Sequence, residues 1–210
     1  MIMESNKAAE HLQVIRTLME RSAIYRRALA PITLALGVLG GLGGIVGGTL
    51  RIGSARGFVS FWMAISVIGL VSAYLLARRQ ALRDSEPFWS PPTRRVTQAL
   101  APPLLVGMLA GILVLAFPEW DFIPASGLPA FWMLFYGCAL HTAGFFMTRG
   151  MRLLGLLFIA SGIGFMAARG FAGPPLVLTG GHAIMGAGFG GLHLAFGIYL
   201  YFTEKSRNAE

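Results

Sequence analysis

The residues of this chain best suited to chemistry are two histidines inside long uncharged segments. His141 and His193 each lie about 12 or 13 residues from one end of an apolar run, with glycines at helical spacing on the same face. At ~1.5 Å of rise per residue, both imidazoles are predicted at the same depth, about 18–20 Å from that end. Two imidazoles at one depth can ligate the iron of a b-type haem, and glycines leave room for its ring. The pair therefore suggests a haem-binding redox or sensor protein.

Two other interpretations of these histidines remain open. A transition metal could bind them, although two histidines alone make an incomplete site. In the simpler interpretation, each ring donates a hydrogen bond to a carbonyl of a neighbouring helix and so holds the bundle together. We favour this simpler interpretation and expect no cofactor, with haem b held by His141 and His193 as the alternative.

A catalytic set of side chains cannot be identified in the sequence. Serines inside apolar helices usually bond to the carbonyl one turn back, so they are poor candidates for nucleophiles. The single cysteine, Cys138, excludes an intramolecular disulfide and makes a cysteine-based metal site unlikely to form. We therefore expect a non-enzymatic protein.

Glycines form stripes along three of the predicted helices. In the first helix, four of them fall within about 60° of arc. In lipid, small residues let two helices approach closely, so the stripes predict helix contacts within the protein or between copies in a homo-oligomer. The predicted helix-packing residues are Gly37, Gly41, Gly44, Gly48, Gly137, Gly144, Gly186, Gly190 and Gly197.

The composition is that of a membrane protein. Of the 210 residues, 55% are hydrophobic and only 12% are charged, about half the charge of a soluble domain. The apolar residues come in long blocks, which predicts spanning helices and makes the lipid bilayer the main partner. The net charge of +8 does not indicate a nucleic-acid partner, because the basic residues cluster between the apolar blocks. The fold class is therefore predicted to be all-α and polytopic.

The sequence predicts a six-transmembrane-helix bundle over residues 31–203. The spans are predicted at about 31–50, 57–77, 98–117, 128–148, 152–168 and 181–202. Residues 1–30 are predicted to form an amphipathic helix in the cytoplasm or at the membrane surface, because apolar and basic residues separate onto two sides. Residues 204–210 are left as a cytoplasmic tail.

The positions of the cations predict the orientation. Of the 17 lysines and arginines, 14 fall on one side of the six-span arrangement and 3 on the other. Cytoplasmic loops carry an excess of these residues. Both termini are therefore expected in the cytoplasm, with the protein in a bacterial cytoplasmic (inner) membrane.

The six predicted spans contain no internal Asp, Glu, Lys or Arg. Such residues are typical of proton relays and ion pathways, so coupled transport is not favoured. A transporter or channel for a small neutral solute stays open as an alternative, since backbone and hydroxyl groups can line its path. The leading prediction is an interaction or sensory partner, or an oligomeric membrane component.

Short strings near both ends of the chain carry a resemblance. The string Met19-Glu20-Arg21-Ser22 precedes the first span, and the last span contains an LH-x3-GIY pattern that begins at Leu192 and includes His193. Together they resemble a family of uncharacterised bacterial multi-span integral membrane proteins. The resemblance implies a membrane location and marks these residues as features of interest, but it implies no activity.

Overall fold

The computed structural model describes residues 29–85, 87–117, 119, 124–171 and 178–207. Within these ranges all regular secondary structure is helical and no strand is present. The all-α prediction is thereby confirmed. Residues 1–28, which include nearly all of the predicted amphipathic helix, lie outside the described residues.

Seven α-helical segments follow one another along the described chain. Their bounds are α1 Leu29–Thr49, α2 Ala55–Arg83, α3 Pro91–Ala116, α4 Leu128–Ala143, α5 Arg149–Phe171, α6 Leu178–Met185 and α7 Leu192–Arg207. A short 3₁₀ turn, Ala125–Gly127, leads into α4. A π-helical turn, Gly186–Gly191, joins α6 to α7. We call the continuous stretch of α6, the π turn and α7 the last helix.

Five helices are long and apolar enough to cross a membrane, namely α1, α2, α3, α5 and the last helix. Their outer faces expose large apolar side chains such as Leu42, Leu70 and Leu109. By contrast, the buried interior includes the polar side chains of His182 and His193. Because a soluble protein hides its large apolar side chains, this distribution indicates a membrane protein.

The helix α4 is shorter than the span predicted at 128–148. It has 16 residues, which corresponds to about 24 Å against a hydrocarbon thickness of about 30 Å. It ends at Ala143 because the chain tightens there: the N–H groups of Phe145 and Phe146 bond to carbonyls three residues back. Half of the residues of α4 are buried, so this helix lies at the centre of the bundle between α3 and α5.

The helices α2 and α3 extend beyond the spans predicted at 57–77 and 98–117. The loop between them is short, because α2 continues to Arg83 and α3 begins at Pro91. Proline is well suited to the first turn of a helix, because an N–H group at that position would have no hydrogen-bond acceptor within the helix. The apolar run therefore marks only the part of each helix that hydrocarbon would cover.

Candidate functional site

The last helix packs against α1 with the two backbones in contact. A Cβ atom placed on Gly44 would lie 2.7 Å from the Cα of Gly186, and one on Gly40 would lie 2.8 Å from the nitrogen of Gly190. A methyl group does not fit at such distances, so this crossing requires glycine on both sides. It places the backbone of α1 directly on the π turn.

The same contact continues in both directions along the two helices. Toward one end, Gly47 faces the ring of His182. Toward the other, a Cβ on Gly37 would lie 2.7 Å from the Cγ of Leu194, and further on Gly197 meets α1. The order of these pairs shows that the two helices run antiparallel along most of the length of α1.

The contact stripe on α1 is offset from the predicted one. Gly37 and Gly44 belong to it, whereas Gly41 and Gly48 have no atom within 4 Å of a Cβ position. The residues of α1 that face the last helix are Gly37, Gly40, Gly44 and Gly47. Both sets repeat every three or four residues, so spacing alone does not distinguish them.

The predicted glycines of α4 and its C-terminal turn face α5. A Cβ on Gly137 would lie 2.7 Å from the carbonyl oxygen of Gly155, and one on Gly144 would lie 2.7 Å from the nitrogen of Arg152. Gly155 in turn lies against the backbone of His141. A second glycine-lined contact therefore joins α4 and α5, and the chain reverses direction between them.

His182 is completely buried, at 0% exposure, near the start of the last helix. The indole N–H of Trp62 donates to its Nδ1 at 3.1 Å, and its Nε2 lies 2.9 Å from the carbonyl oxygen of Ile52. Because an indole can only donate and a carbonyl can only accept, the ring is neutral with its proton on Nε2. It ties the last helix to α2 and to the loop that joins α1 and α2.

His193 is buried to 2% exposure and lies two residues after the π turn. Its Nδ1 lies 2.7 Å from the carbonyl oxygen of Phe189, so this nitrogen carries the proton. Its Nε2 then accepts from the hydroxyl of Tyr136 on α4 at 2.7 Å. The two buried rings therefore adopt opposite tautomers, each with one aromatic donor and one backbone acceptor.

We call His182, His193 and the π turn between them the histidine clamp. The π turn supplies the carbonyl of Phe189 that His193 uses, and the two rings fasten the helix on either side of it. π-Helical turns are rare and occur frequently at functional sites. Because both nitrogens of each ring are hydrogen-bonded, metal ligation would require a bond to Tyr136, Trp62 or a carbonyl to break.

His141 does not share a site with His193. Its Nδ1 lies 3.3 Å from the carbonyl oxygen of Arg152, and its ring meets that of Phe145 edge-on. His193 contacts Tyr136, which lies five residues before His141 on α4, about 7.5 Å along the helix axis. The two rings therefore have separate hydrogen-bond partners, and α4 ends two residues after His141, at Ala143.

The described residues contain no group of three or more His, Cys, Asp or Glu side chains that could hold a metal ion. No protein-family model, curated protein or solved structure matches the chain. The resemblance carried by Met19-Glu20-Arg21-Ser22 and the LH-x3-GIY pattern therefore stays a prediction.

Proposed function

We propose that this protein is a non-enzymatic component of a bacterial cytoplasmic membrane that acts through contacts with membrane proteins or with a second copy of itself. One observation carries the proposal: the polar groups of the clamp form their hydrogen bonds within this chain, and the inward glycine faces pack against its own helices. His182 and His193 each use both ring nitrogens internally. Such an interior is typical of a helical scaffold, and the outer faces of the helices are then available to partners.

The proposed scaffold has six spans, with α4 as the span that is shorter than the others. Together, α4 and the preceding turn Ala125–Gly127 cover about 30 Å, enough to cross the hydrocarbon. The antiparallel contact of α4 with α5 also supports the crossing, since Gly144 meets Arg152 while Gly162 meets Leu134, about 15 Å away along the two helices. If α4 crosses, both termini lie on the same side of the membrane.

The distribution of arginines supports placing that side in the cytoplasm. The α2–α3 turn and its flanking helix ends carry five arginines, whereas at the opposite end the α1–α2 loop carries Arg51 and the first turn of α2 carries Arg56. Cytoplasmic ends of spans are enriched in Arg and Lys. The described arginines thus follow the same asymmetry as the whole sequence.

The α1 contact weighs against a solute path along the glycine faces. A Cβ on Gly186 would lie 3.0 Å from the Cα of Gly44, and the side chain of Met133 fills the space at Gly188. In this conformation no solute fits between α1 and the last helix. A neutral-solute transporter with its site at that interface is therefore not the function the geometry favours.

The outward face of α1 is where a partner helix could approach. Gly41 and Gly48 are open to the surroundings, and Ile45 lies exposed between them. Replacing both glycines with isoleucine should block close helix approach there and lower the oligomeric mass measured by light scattering in detergent. The matched control is Gly164→Ile on α5, which is equally open and should leave the mass unchanged. An unchanged mass in the α1 double variant would contradict a homo-oligomer formed through this face.

A further inference from the structure

The end of the bundle at the α2–α3 turn carries a concentrated positive charge. We call Arg78, Arg79, Arg83, Arg94 and Arg95 the arginine cluster, and all five side chains are exposed. The helix α3 packs back along α2, with Gly111 close to Met63. The last turns of α2 and the first turns of α3 therefore lie at the same end of the bundle.

The arginine cluster outnumbers the carboxylates of its turn. The sequence places two carboxylates there, Asp84 and Glu86, against the five arginines. The backbone of Asp84 ends α2, and its Oδ2 accepts a hydrogen bond from the side-chain amide of Gln80 at 3.0 Å. Arg79 and Arg83 are also one turn apart on the same helix, a spacing at which like charges repel. The excess positive charge favours an anion supplied from outside the chain.

The length of α2 places this charge at the level of lipid headgroups. The helix has 29 residues, about 43 Å, while the hydrocarbon layer is only about 30 Å thick. Its last turns, from Arg78 to Arg83, therefore project beyond the hydrocarbon. The uncharged run predicted at 57–77 comes directly before these turns, and it is the part of α2 that lipid tails surround.

Aromatic side chains mark the same level of the membrane. The ring of Phe88 packs edge-on against Tyr74 at 5.2 Å, which holds the turn against α2. The next residue, Trp89, is 61% exposed. Tryptophan and tyrosine concentrate where the hydrocarbon meets the headgroups, because their rings are apolar at one end and polar at the other.

We propose that the arginine cluster binds the phosphate of an anionic membrane phospholipid. A guanidinium group can form two parallel hydrogen bonds with the oxygens of a phosphate. Several such groups at one helix end carry a net positive charge, which an anionic lipid balances and a lipid of zero net charge does not. Trp89 lies against the glycerol and ester region of the same lipid layer. This inference rests on the membrane location in the proposed function, and it adds a lipid preference that the function alone does not require.

The test measures lipid binding to the full-length protein by native mass spectrometry from a neutral detergent. Phosphatidylglycerol and phosphatidylcholine with the same acyl chains are added separately. The unaltered protein is expected to bind phosphatidylglycerol more tightly. The combined changes Arg78→Gln, Arg79→Gln and Arg83→Gln should weaken phosphatidylglycerol binding by about fivefold per arginine. They should weaken phosphatidylcholine binding much less, because the choline cation already balances its phosphate.

Two control variants separate this site from general charge effects. Arg51→Gln with Arg56→Gln removes charge from the opposite end of the bundle and should leave phosphatidylglycerol binding unchanged. The combined changes Arg78→Lys, Arg79→Lys and Arg83→Lys keep the charge and should retain most of the preference. An equal loss in the opposite-end variant, or equal affinities of the unaltered protein for the two lipids, would overturn the proposal.

A further arm distinguishes a lipid site from a site for free phosphate. Inorganic phosphate at millimolar concentration should not displace phosphatidylglycerol, whose tails remain in contact with α2, and displacement would overturn the lipid assignment. Extraction of membranes with alkaline carbonate tests the underlying location independently. A protein that leaves the membrane contradicts the proposed function, whereas a retained protein without a lipid preference contradicts only this inference.

Discussion

Tyr136 donates its hydroxyl to His193 at 2.7 Å in the interior, where water is not available to replace the bond. The change Tyr136→Phe removes the donor and leaves a buried acceptor without a partner. It should lower the free energy of unfolding by about 1–2 kcal/mol, seen as a lower thermal midpoint in detergent. Tyr199→Phe, on the exposed face of α7, is the matched control and should not shift the midpoint. Equal midpoints for the Tyr136 variant and the parent protein would contradict the role of the clamp.

Neighbouring glycines of α1 should respond very differently to one added methyl group. In Gly44→Ala the new Cβ would meet the backbone of Gly186 at 2.7 Å, and neither helix can yield without losing other contacts. A loss of about 1–3 kcal/mol in stability is expected, measured as above. Gly41→Ala enters open space and should be neutral or slightly stabilising. The account of the α1 contact is wrong if the two variants unfold at the same temperature.

The sequence could predict which residue types matter but not their partners. His182 and Trp62 are 120 residues apart, and no pattern along the chain relates them. The one-residue offset between Gly41 and Gly40 depends on how α1 is rotated against its neighbours. That rotation follows from the packing of the whole bundle, including Gly43 against Ile65 of α2.

At the scale of helices, the apolar runs located the long membrane helices because burial in lipid tolerates few charges. The helix ends follow different rules. The side chain of Ser54 accepts a hydrogen bond from the N–H of Gly57 at the start of α2, and Ser90 and Pro91 begin α3. Hydropathy is insensitive to such capping groups, so α2 extends past both ends of the span predicted at 57–77, and α3 begins before the span predicted at 98–117.

The π turn Gly186–Gly191 holds one residue more per turn than an α-helix needs. The rotation of α7 relative to α6 therefore depends on the number of residues between them. Inserting one alanine directly after Gly191 should rotate α7 by about 100° relative to α6. His182 and His193 could then no longer reach Trp62 and Tyr136 together. We expect loss of the folded protein, measured by size-exclusion chromatography and thermal unfolding. An insertion variant with the parent elution volume and midpoint would show that the clamp does not depend on this rotation.

At the scale of the molecule, α4 organises the bundle although it is shorter than the five helices that are long enough to cross a membrane. Trp132 donates from its indole to the carbonyl of Gly107 on α3 at 2.9 Å, and Thr142 donates to the carbonyl of Ala99 at 3.1 Å. The opposite side of α4 faces α5 and the histidine clamp. A helix surrounded in this way needs less apolar length than one facing lipid, so the crossing of α4 is consistent with its 16 residues.

Whether α4 crosses the membrane also decides the topology, since six spans place both termini on one side and five would separate them. Single cysteines introduced at Ala125, Ser90 and Ser206 in a Cys138→Ser background report the side directly through a membrane-impermeant thiol reagent. In intact cells, the cysteine at 125 should be labelled from outside. Those at 90 and 206 should react only after the membrane is opened. Labelling of positions 125 and 206 from the same side would contradict the six-span membrane scaffold.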